Sequence, residues 1–438
     1  MTLRFLLGRS GTGKTSFMLD EIRSTLAHHP EGNPIIYLVP DQMTFLSEYK
    51  LIKTPGLEGM IRAQVFSFSR LAWRVLQETG GMSRIHLDSV GVNMLIRKIM
   101  EEKKEELKVF RRSADKQGFV TQMEQMLVEF KRCCIQPEQL QSFLEQSTAT
   151  SGVIQDKLHD LEVIYQSFEE KLMGKYLQSE DYFTLLIEKL ADSAYIANAQ
   201  IYVDGFYSLT QQELLILEEM MKRGCSVTVA LTLDRPYPSL PPDPLELFRQ
   251  TGTTYYEIYQ TALRLGVPIE EDKVFTEVGR FSENPALKHL EQHFAVRPVR
   301  PYESPANVIV SQAVNRRAEV EGIARTIVKL VRDEEYRFRD IAVLMRNGEA
   351  YRDIIQTVFR DYEIPLFIDS KRKMLHHPLI ELIRSTLDIL TSNWRYEPVF
   401  QAIKTELLFP AEKNSDLMRE QVDRLENYVL SRGIKGEK

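Results

Sequence analysis

Cysteine is scarce: three in 438 residues, with Cys133 and Cys134 adjacent and Cys225 far away. That count and spacing supply neither a disulfide framework nor the paired ligands of a zinc site, so all three read as structural thiols. No run of about eighteen apolar residues occurs, which excludes an evident membrane-spanning helix. The first residues also lack the basic-then-apolar layout of a secretory leader. A cytoplasmic location with no membrane partner is therefore expected. A basic excess is missing too: 56 Lys and Arg stand against 62 Asp and Glu, for a net charge of −6. This argues against a protein that coats DNA by general electrostatics, while leaving room for a local nucleic-acid groove. The pairs His28-His29 and His376-His377 have no companion ligands, so neither reads as a metal site.

What the chain does have is a phosphate loop. Gly8-Arg9-Ser10-Gly11-Thr12-Gly13-Lys14-Thr15 fits the pattern GxxxxGK[ST]. Glycines let the backbone wrap closely round phosphates, with amide N–H groups aimed inward at the start of a helix. Lys14 is expected to reach the β- and γ-phosphates of ATP, and Thr15 to ligate Mg²⁺. The context agrees, because Leu3-Arg4-Phe5-Leu6-Leu7 reads as a buried strand and residues 15–26 as an amphipathic helix.

With 43% hydrophobic and 27% charged residues, the chain is expected to be globular and to divide into two or more domains. Further β/α signals at Ile35-Ile36-Tyr37-Leu38-Val39 and Ala63-Gln64-Val65-Phe66 suggest a parallel sheet covered by helices. Charged helical stretches at 92–109, 120–133 and 153–172 read as an insertion. Strand character returns at Ile201-Tyr202-Val203 and at 227–231. A proline-bearing linker precedes a second β/α series, with strands expected at Val308-Ile309-Val310, at Ile341-Ala342-Val343-Leu344 and at Ile364-Pro365-Leu366-Phe367-Ile368. The expected fold class is α/β. A discontinuous first domain (1–82 and 196–290) carries a helical insertion (83–195), and a linker (291–305) leads to an incomplete second domain (306–438).

A phosphate-loop ATPase needs a strand-terminal Asp in the Mg²⁺ shell and usually a neighbouring Glu to activate water. Asp204 fits the first role, with a turn or helix cap as the alternative, but Gly205 stands where the base is expected. Losing a general base costs about 10²- to 10⁴-fold in rate, so ATP binding with slow or no cleavage is expected and no catalytic residue is assigned. Single-stranded nucleic acid is commonly held by aromatic stacking and basic contacts. Phe66-Ser67-Phe68-Ser69-Arg70-Leu71-Ala72-Trp73 supplies both residue types; on the residues alone Phe66, Leu71 and Trp73 read as packing inward, and Phe68 and Arg70 read equally as structural or as binding residues. Gln42 and Thr44, after the second strand, add hydrogen-bonding groups. The mixed charges around 101–116 read as a solvated helix face, with duplex contact as the alternative.

Taken in order, these segments resemble the superfamily 1 helicases, whose RecA-like domains carry the phosphate loop, and within them the B subunit of the AddAB helicase–nuclease. The segments that carry the resemblance are Gly8 to Thr15, 38–45, 65–71, Val203-Asp204-Gly205-Phe206, 340–346, and 364–369 running on to His376-His377-Pro378-Leu379. The resemblance implies a heterodimer with an AddA-type helicase–nuclease subunit that processes double-strand DNA ends for recombinational repair. The B subunit would scan single-stranded DNA for the Chi hotspot without translocating. It also implies that Gln42, Thr44, Phe68, Arg70 and Trp73 face single-stranded DNA. The family's nuclease domain, its 4Fe–4S cluster ligands and its late helicase motifs, including an arginine that senses the γ-phosphate, have no match in these residues. The chain is accordingly expected to be an N-terminal portion of a longer subunit. An active translocase and a nucleotide-gated scaffold are the competing readings.

Overall fold

The computed structural model describes the chain except residues 54–60, 82–83, 113–115, 147–151, 174, 179–180, 307, 369–373, 375, 411–413, 435 and 437–438. The boundary placed at 82/83, Asp369 of the last apolar run and most of the polar terminal run lie outside the described residues. The chain forms two compact units, Met1–Ile309 and Val310–Lys438.

The first unit opens with β1 (Leu3–Gly8), α1 (Lys14–His28), β2 (Ile35–Leu38), α2 (Thr44–Ile52), β3 (Ala63–Phe66) and α3 (Phe68–Thr79). A mainly helical stretch comes next: β4 (Ile85–His86), α4 (Ser89–Glu102), α5 (Gln117–Arg132), α6 (Pro137–Gln146), α7 (Gly152–Leu172), β5 (Tyr176–Leu177) and α8 (Asp181–Lys189). The unit closes with β6 (Gln200–Val203), α9 (Gln211–Lys222), β7 (Ser226–Thr232), α10 (Arg249–Leu265), β8 (Lys273–Phe275) and α11 (Pro285–His293). Six strands form one sheet in the order β3-β2-β6-β7-β1-β8, every pair parallel. Strands from before and after the helical stretch therefore share a sheet.

Strand side chains alternate between faces, and here both faces are apolar, as a sheet covered on two sides requires. Leu3, Phe5, Leu7, Ile36, Leu38, Ile201, Val203, Val227 and Val229 join one core with α3, α9 and α10. Leu6, Ile35, Tyr37, Tyr202 and Ala230 join another with Met18, Ile22 and Leu26 of α1 and Leu51 of α2. The helical stretch has its own core, built on Ile96, Ile99, Leu127, Ile164 and Phe168. It also contains a short parallel pair, β4 with β5, that the sequence did not suggest.

The second unit contains α12 (Arg316–Asp333), α13 (Gly348–Asp361), α14 (Pro378–Thr391), α15 (Tyr396–Lys404) and α16 (Ser415–Arg432). Val320, Ala324, Ile327, Ile355, Val358 and Phe359 pack α12 against α13. The three strands expected here are not formed among the described residues. The runs at 308–310, 341–344 and 364–368 have no ladder partners, and Val310, Leu344 and Phe367 are each at least 90% exposed. An extended segment becomes a strand only when a neighbour takes up its backbone N–H and C=O groups.

Candidate nucleotide site and the surface beside it

The residues that could act on a ligand gather where the parallel strands end, the usual location of binding sites in open α/β sheets. A cavity of about 740 Å³ lies there, lined by Ser10 to Ser16, Met43, Asp204 to Tyr207, Thr232, Glu277 and Arg280 among others. The loop after β1 delivers the chain into α1 through two glycines with left-handed φ, +85° at Gly11 and +92° at Gly13. Only glycine adopts such angles without a steric penalty.

Thr15 Oγ1 donates to Asp204 Oδ2 at 2.6 Å, and the Tyr37 hydroxyl donates to the same oxygen at 2.8 Å. Burial, reinforced by Asp204, pushes the Tyr37 phenol far up, so it remains a donor. Asp204 is 5% exposed. One hydroxyl beside one carboxylate suits Mg²⁺, which completes its octahedron with water and nucleotide oxygens rather than with a protein cage. Lys14 is 8% exposed, and its ammonium donates to the carbonyls of Gly8 at 2.6 Å and Arg9 at 3.0 Å. Burial lowers Lys14 to about 8; Asp204 opposes that shift and Arg280 adds to it.

Gly205 has φ +83°, and a Cβ added there would lie 2.8 Å from Met43 Sδ and 3.2 Å from Pro40 Cδ. The position lacks a carboxylate, and any side chain there would strain the left-handed backbone and require Met43 to shift. Gly8 and Arg9 contribute carbonyls to Lys14 but do not line the cavity. The Arg9 side chain instead reaches Glu291.

Sequence reasoning missed Arg280 and Glu277. The turn at 279–281 lies against the loop, with the Arg280 amide donating to the Gly11 carbonyl at 3.2 Å. An arginine in a turn that opens on a single glycine has no periodicity to announce it, and only the placement of β8 beside β1 brings it to the cavity at the end of β1.

The residues expected to face DNA separate into two groups. Trp73 is 52% exposed, and with Arg70, Phe66, Ser69, Arg74 and Gln77 it lines a shallow cavity of about 430 Å³. Gln42 is exposed on the loop after β2. Phe68 and Thr44 require correction. Phe68 is 3% exposed, packed edge-on against Phe183 and Phe206, and offers no ring face to a base. Thr44 is buried, with its hydroxyl donating to the Asp41 carbonyl at 2.9 Å. Both position neighbours: Phe68 anchors the first turn of α3, which Ser67 caps through the Arg70 amide.

Among the described residues no group of three or more His, Cys, Asp or Glu is placed to hold a metal ion. A 4Fe–4S cluster takes four cysteine ligands, and three cysteines, one of them buried Cys225, do not fit that need. No described helix is long and apolar enough to cross a membrane.

A phosphate loop at the end of the inner strand β1, met by an aspartate that follows β6, with β7 between the two in an all-parallel sheet, defines a phosphate-loop α/β protein of RecA-like form. Within that class the particular family is clear. The family model described as "ADDB, N-terminal" matches residues 5–291, and the chain belongs to that family. It is 53% identical over 443 aligned positions to the B subunit of the ATP-dependent helicase/deoxyribonuclease of Bacillus subtilis strain 168, covering all of this chain and 38% of that protein. The protein of the same name from Geobacillus thermodenitrificans is 51% identical, and that from Bacillus cereus strain B4264 is 48% identical, with the same coverage. The chain thus spans 38% of the length of these relatives.

Proposed function

We propose that this chain is the nucleotide-holding, strand-reading part of the B subunit of an ATP-dependent helicase–deoxyribonuclease that processes DNA double-strand breaks for homologous recombination. The observation that carries the nucleotide half is the meeting of Thr15 and Asp204, 189 positions apart, at the mouth of the phosphate loop. On this reading, ATP lies along the amides of 10–15, with Lys14 and Arg280 balancing phosphate charge. Thr15 and Asp204 hold Mg²⁺, which when bound neutralises the β- and γ-phosphate oxygens. Tyr37 keeps the Asp204 carboxylate oriented.

Hydrolysis is slow on the same reading. A water-activating side chain at 205 would have to share its space with Met43 and Pro40. Gly205→Glu is expected to cost about 1–2 kcal/mol for its left-handed backbone alone, and so to destabilise the chain rather than install a base. Arg70, Trp73 and Gln42 then form a face for single-stranded DNA, the Chi hotspot being the sequence scanned. A helicase–nuclease subunit of the AddA type is the heterodimer partner and motor, and the exonuclease belongs to the remainder of the longer subunit.

The test is ATP binding and single-strand-stimulated hydrolysis measured side by side for this chain and Lys14→Ala. The expected result is ATP binding that Lys14→Ala abolishes, with negligible turnover. DNA-stimulated turnover above about 1 s⁻¹, the low end for enzymes, would replace this reading with an active translocase. Failure to bind any single-stranded oligonucleotide at low salt, where phosphate contacts are strongest, would favour a nucleotide-gated scaffold.

A further inference from the structure

We infer that Arg74, braced against the Tyr195 ring, forms a second base-stacking platform beside Trp73, so that α3 receives two bases of a strand; the inference rests on the reading of α3 as a face for single-stranded DNA.

Arg70, Trp73, Arg74 and Gln77 follow the i, i+3, i+4, i+7 spacing on α3 and so share one face, about 10 Å long at 1.5 Å per residue. All four line the cavity at the end of β3, whose lining holds two guanidiniums and no carboxylate. Elsewhere in this unit Arg4, Arg23, Arg235 and Arg264 each face a carboxylate. Arg70 and Arg74 have no ion pair among the described residues. On the same helix the acid in reach of Arg74 is Glu78, four residues on, and it is already committed. Its Oε2 accepts the Ser193 hydroxyl at 2.7 Å, and its Oε1 accepts the amides of Ala194 at 3.0 Å and Tyr195 at 3.2 Å. In a chain with net charge −6, two guanidiniums left uncompensated on one helix face suit a polyanion.

Arg74 differs from Arg70 in what stands behind it. Its guanidinium carbon lies 4.5 Å from the Tyr195 ring centroid. The ring is held in turn, because the Tyr195 hydroxyl donates to Gln64 Oε1 of β3 at 3.0 Å. Burial pushes the phenol up to about 12, so it keeps that proton at ordinary pH. A guanidinium is planar and stacks on aromatic rings and on bases alike. With Tyr195 against one face, the other is what Arg74 presents to the cavity that it lines. The brace orders the side chain before a ligand arrives, which lowers the cost of binding. Trp73, 52% exposed, offers its indole at the adjacent position. A strand crossing α3 thus meets an indole and then a guanidinium plane, and Arg70 remains for phosphate.

Fluorescence anisotropy with oligo-dT and with an abasic strand of the same length separates a base platform from a phosphate contact. Arg74→Lys keeps the charge and loses the plane. It is expected to bind oligo-dT at least about fivefold more weakly than the wild type, the low end for one stacked base, and to bind the abasic strand equally well. Tyr195→Leu should weaken oligo-dT binding in the same sense, and Tyr195→Phe, which keeps the ring, should weaken it less. An unchanged melting temperature is the folding control for each variant. Wild-type affinity of Arg74→Lys for oligo-dT would overturn the platform, and a loss in Trp73→Ala beside it would leave the DNA face standing. An equal deficit of Arg74→Lys on the abasic strand would also overturn it, since the contact would then be with phosphate. A wild-type chain that binds neither strand would remove the DNA face and the platform together.

Discussion

Lys14 carries a charge the folded protein holds at a disadvantage. Its ammonium is almost fully out of water, with Arg280 adding repulsion and Asp204 only partly compensating, and its pKa is lowered from 10.5 to about 8. A bound triphosphate stabilises the charged form and raises the value again, so binding near pH 8 must draw a proton from solution. The sign for stability runs the other way from an ordinary ion pair. Between about 8 and 10.5 the unfolded chain holds the proton that the folded chain has lost, so this group adds stability as pH rises through that window. Isothermal calorimetry in two buffers of different ionisation heat is expected to show fractional proton uptake on ATP binding at pH 8 and none at pH 6, with affinity weakening above pH 8. Equal heats in both buffers at pH 8 would rule out a depressed Lys14. At this scale the gathering of Lys14, Thr15 and Asp204 around one cavity was legible in the sequence, because each stands in a recognisable pattern just after a strand. Phe68 was misplaced although its signal was present. Phe68, Leu71, Ala72, Val75 and Leu76 follow the helical repeat and are all buried, leaving Arg70 and Trp73 on the outer face.

Among elements, the helical stretch depends on one carboxylate in a way no sequence pattern reveals. Asp160, fully buried on α7, accepts the backbone amides of Lys108, Val109 and Phe110, each at 2.8 Å. It thereby satisfies the turn that joins α4 to α5. Expected as a continuous helix over 92–109, the chain in fact leaves the helix at Glu102, and Asp160 holds the backbone of the connection beyond it. Asp160→Ala strands three amides, at about 1–3 kcal/mol for each buried one. The variant is expected to lose several degrees of thermal stability and the protection of 104–112, while ATP binding stays intact. Wild-type melting and exchange in that variant would show the turn to be held by packing alone. The β/α alternation was readable because two-sided burial makes strands nearly continuous apolar runs. Strand β8 was not: Lys273 and Val274 are exposed, and only register with Leu6 to Gly8 makes the segment a strand. Position in the sheet, rather than composition, decides such an element.

For the whole molecule, the two units differ in how completely their apolar surface is covered. In the first, the buried apolar side chains of β1, β2, β6 and β7 join cores shared with the covering helices. In the second, α12 and α13 share a small core, while Leu379, Ile383, Leu387 and Leu390 form an exposed stripe along α14 and the extended runs at 341–344 and 364–368 have no strand beside them among the described residues. Burying apolar surface contributes about 25 cal/mol per Å², and unpaired backbone is open to exchange. The second unit should therefore be the less stable of the two. Hydrogen exchange is expected to be fastest at 341–345 and 364–368, intermediate in α14 to α16 and slowest in β1, β6 and β7. Limited proteolysis should cut within 306–438 while leaving a resistant fragment that retains ATP binding. Uniform protection across 306–438, matching that of the sheet, would mean that helix packing alone suffices to stabilise this unit and that its extended runs are held by contacts other than strand pairing.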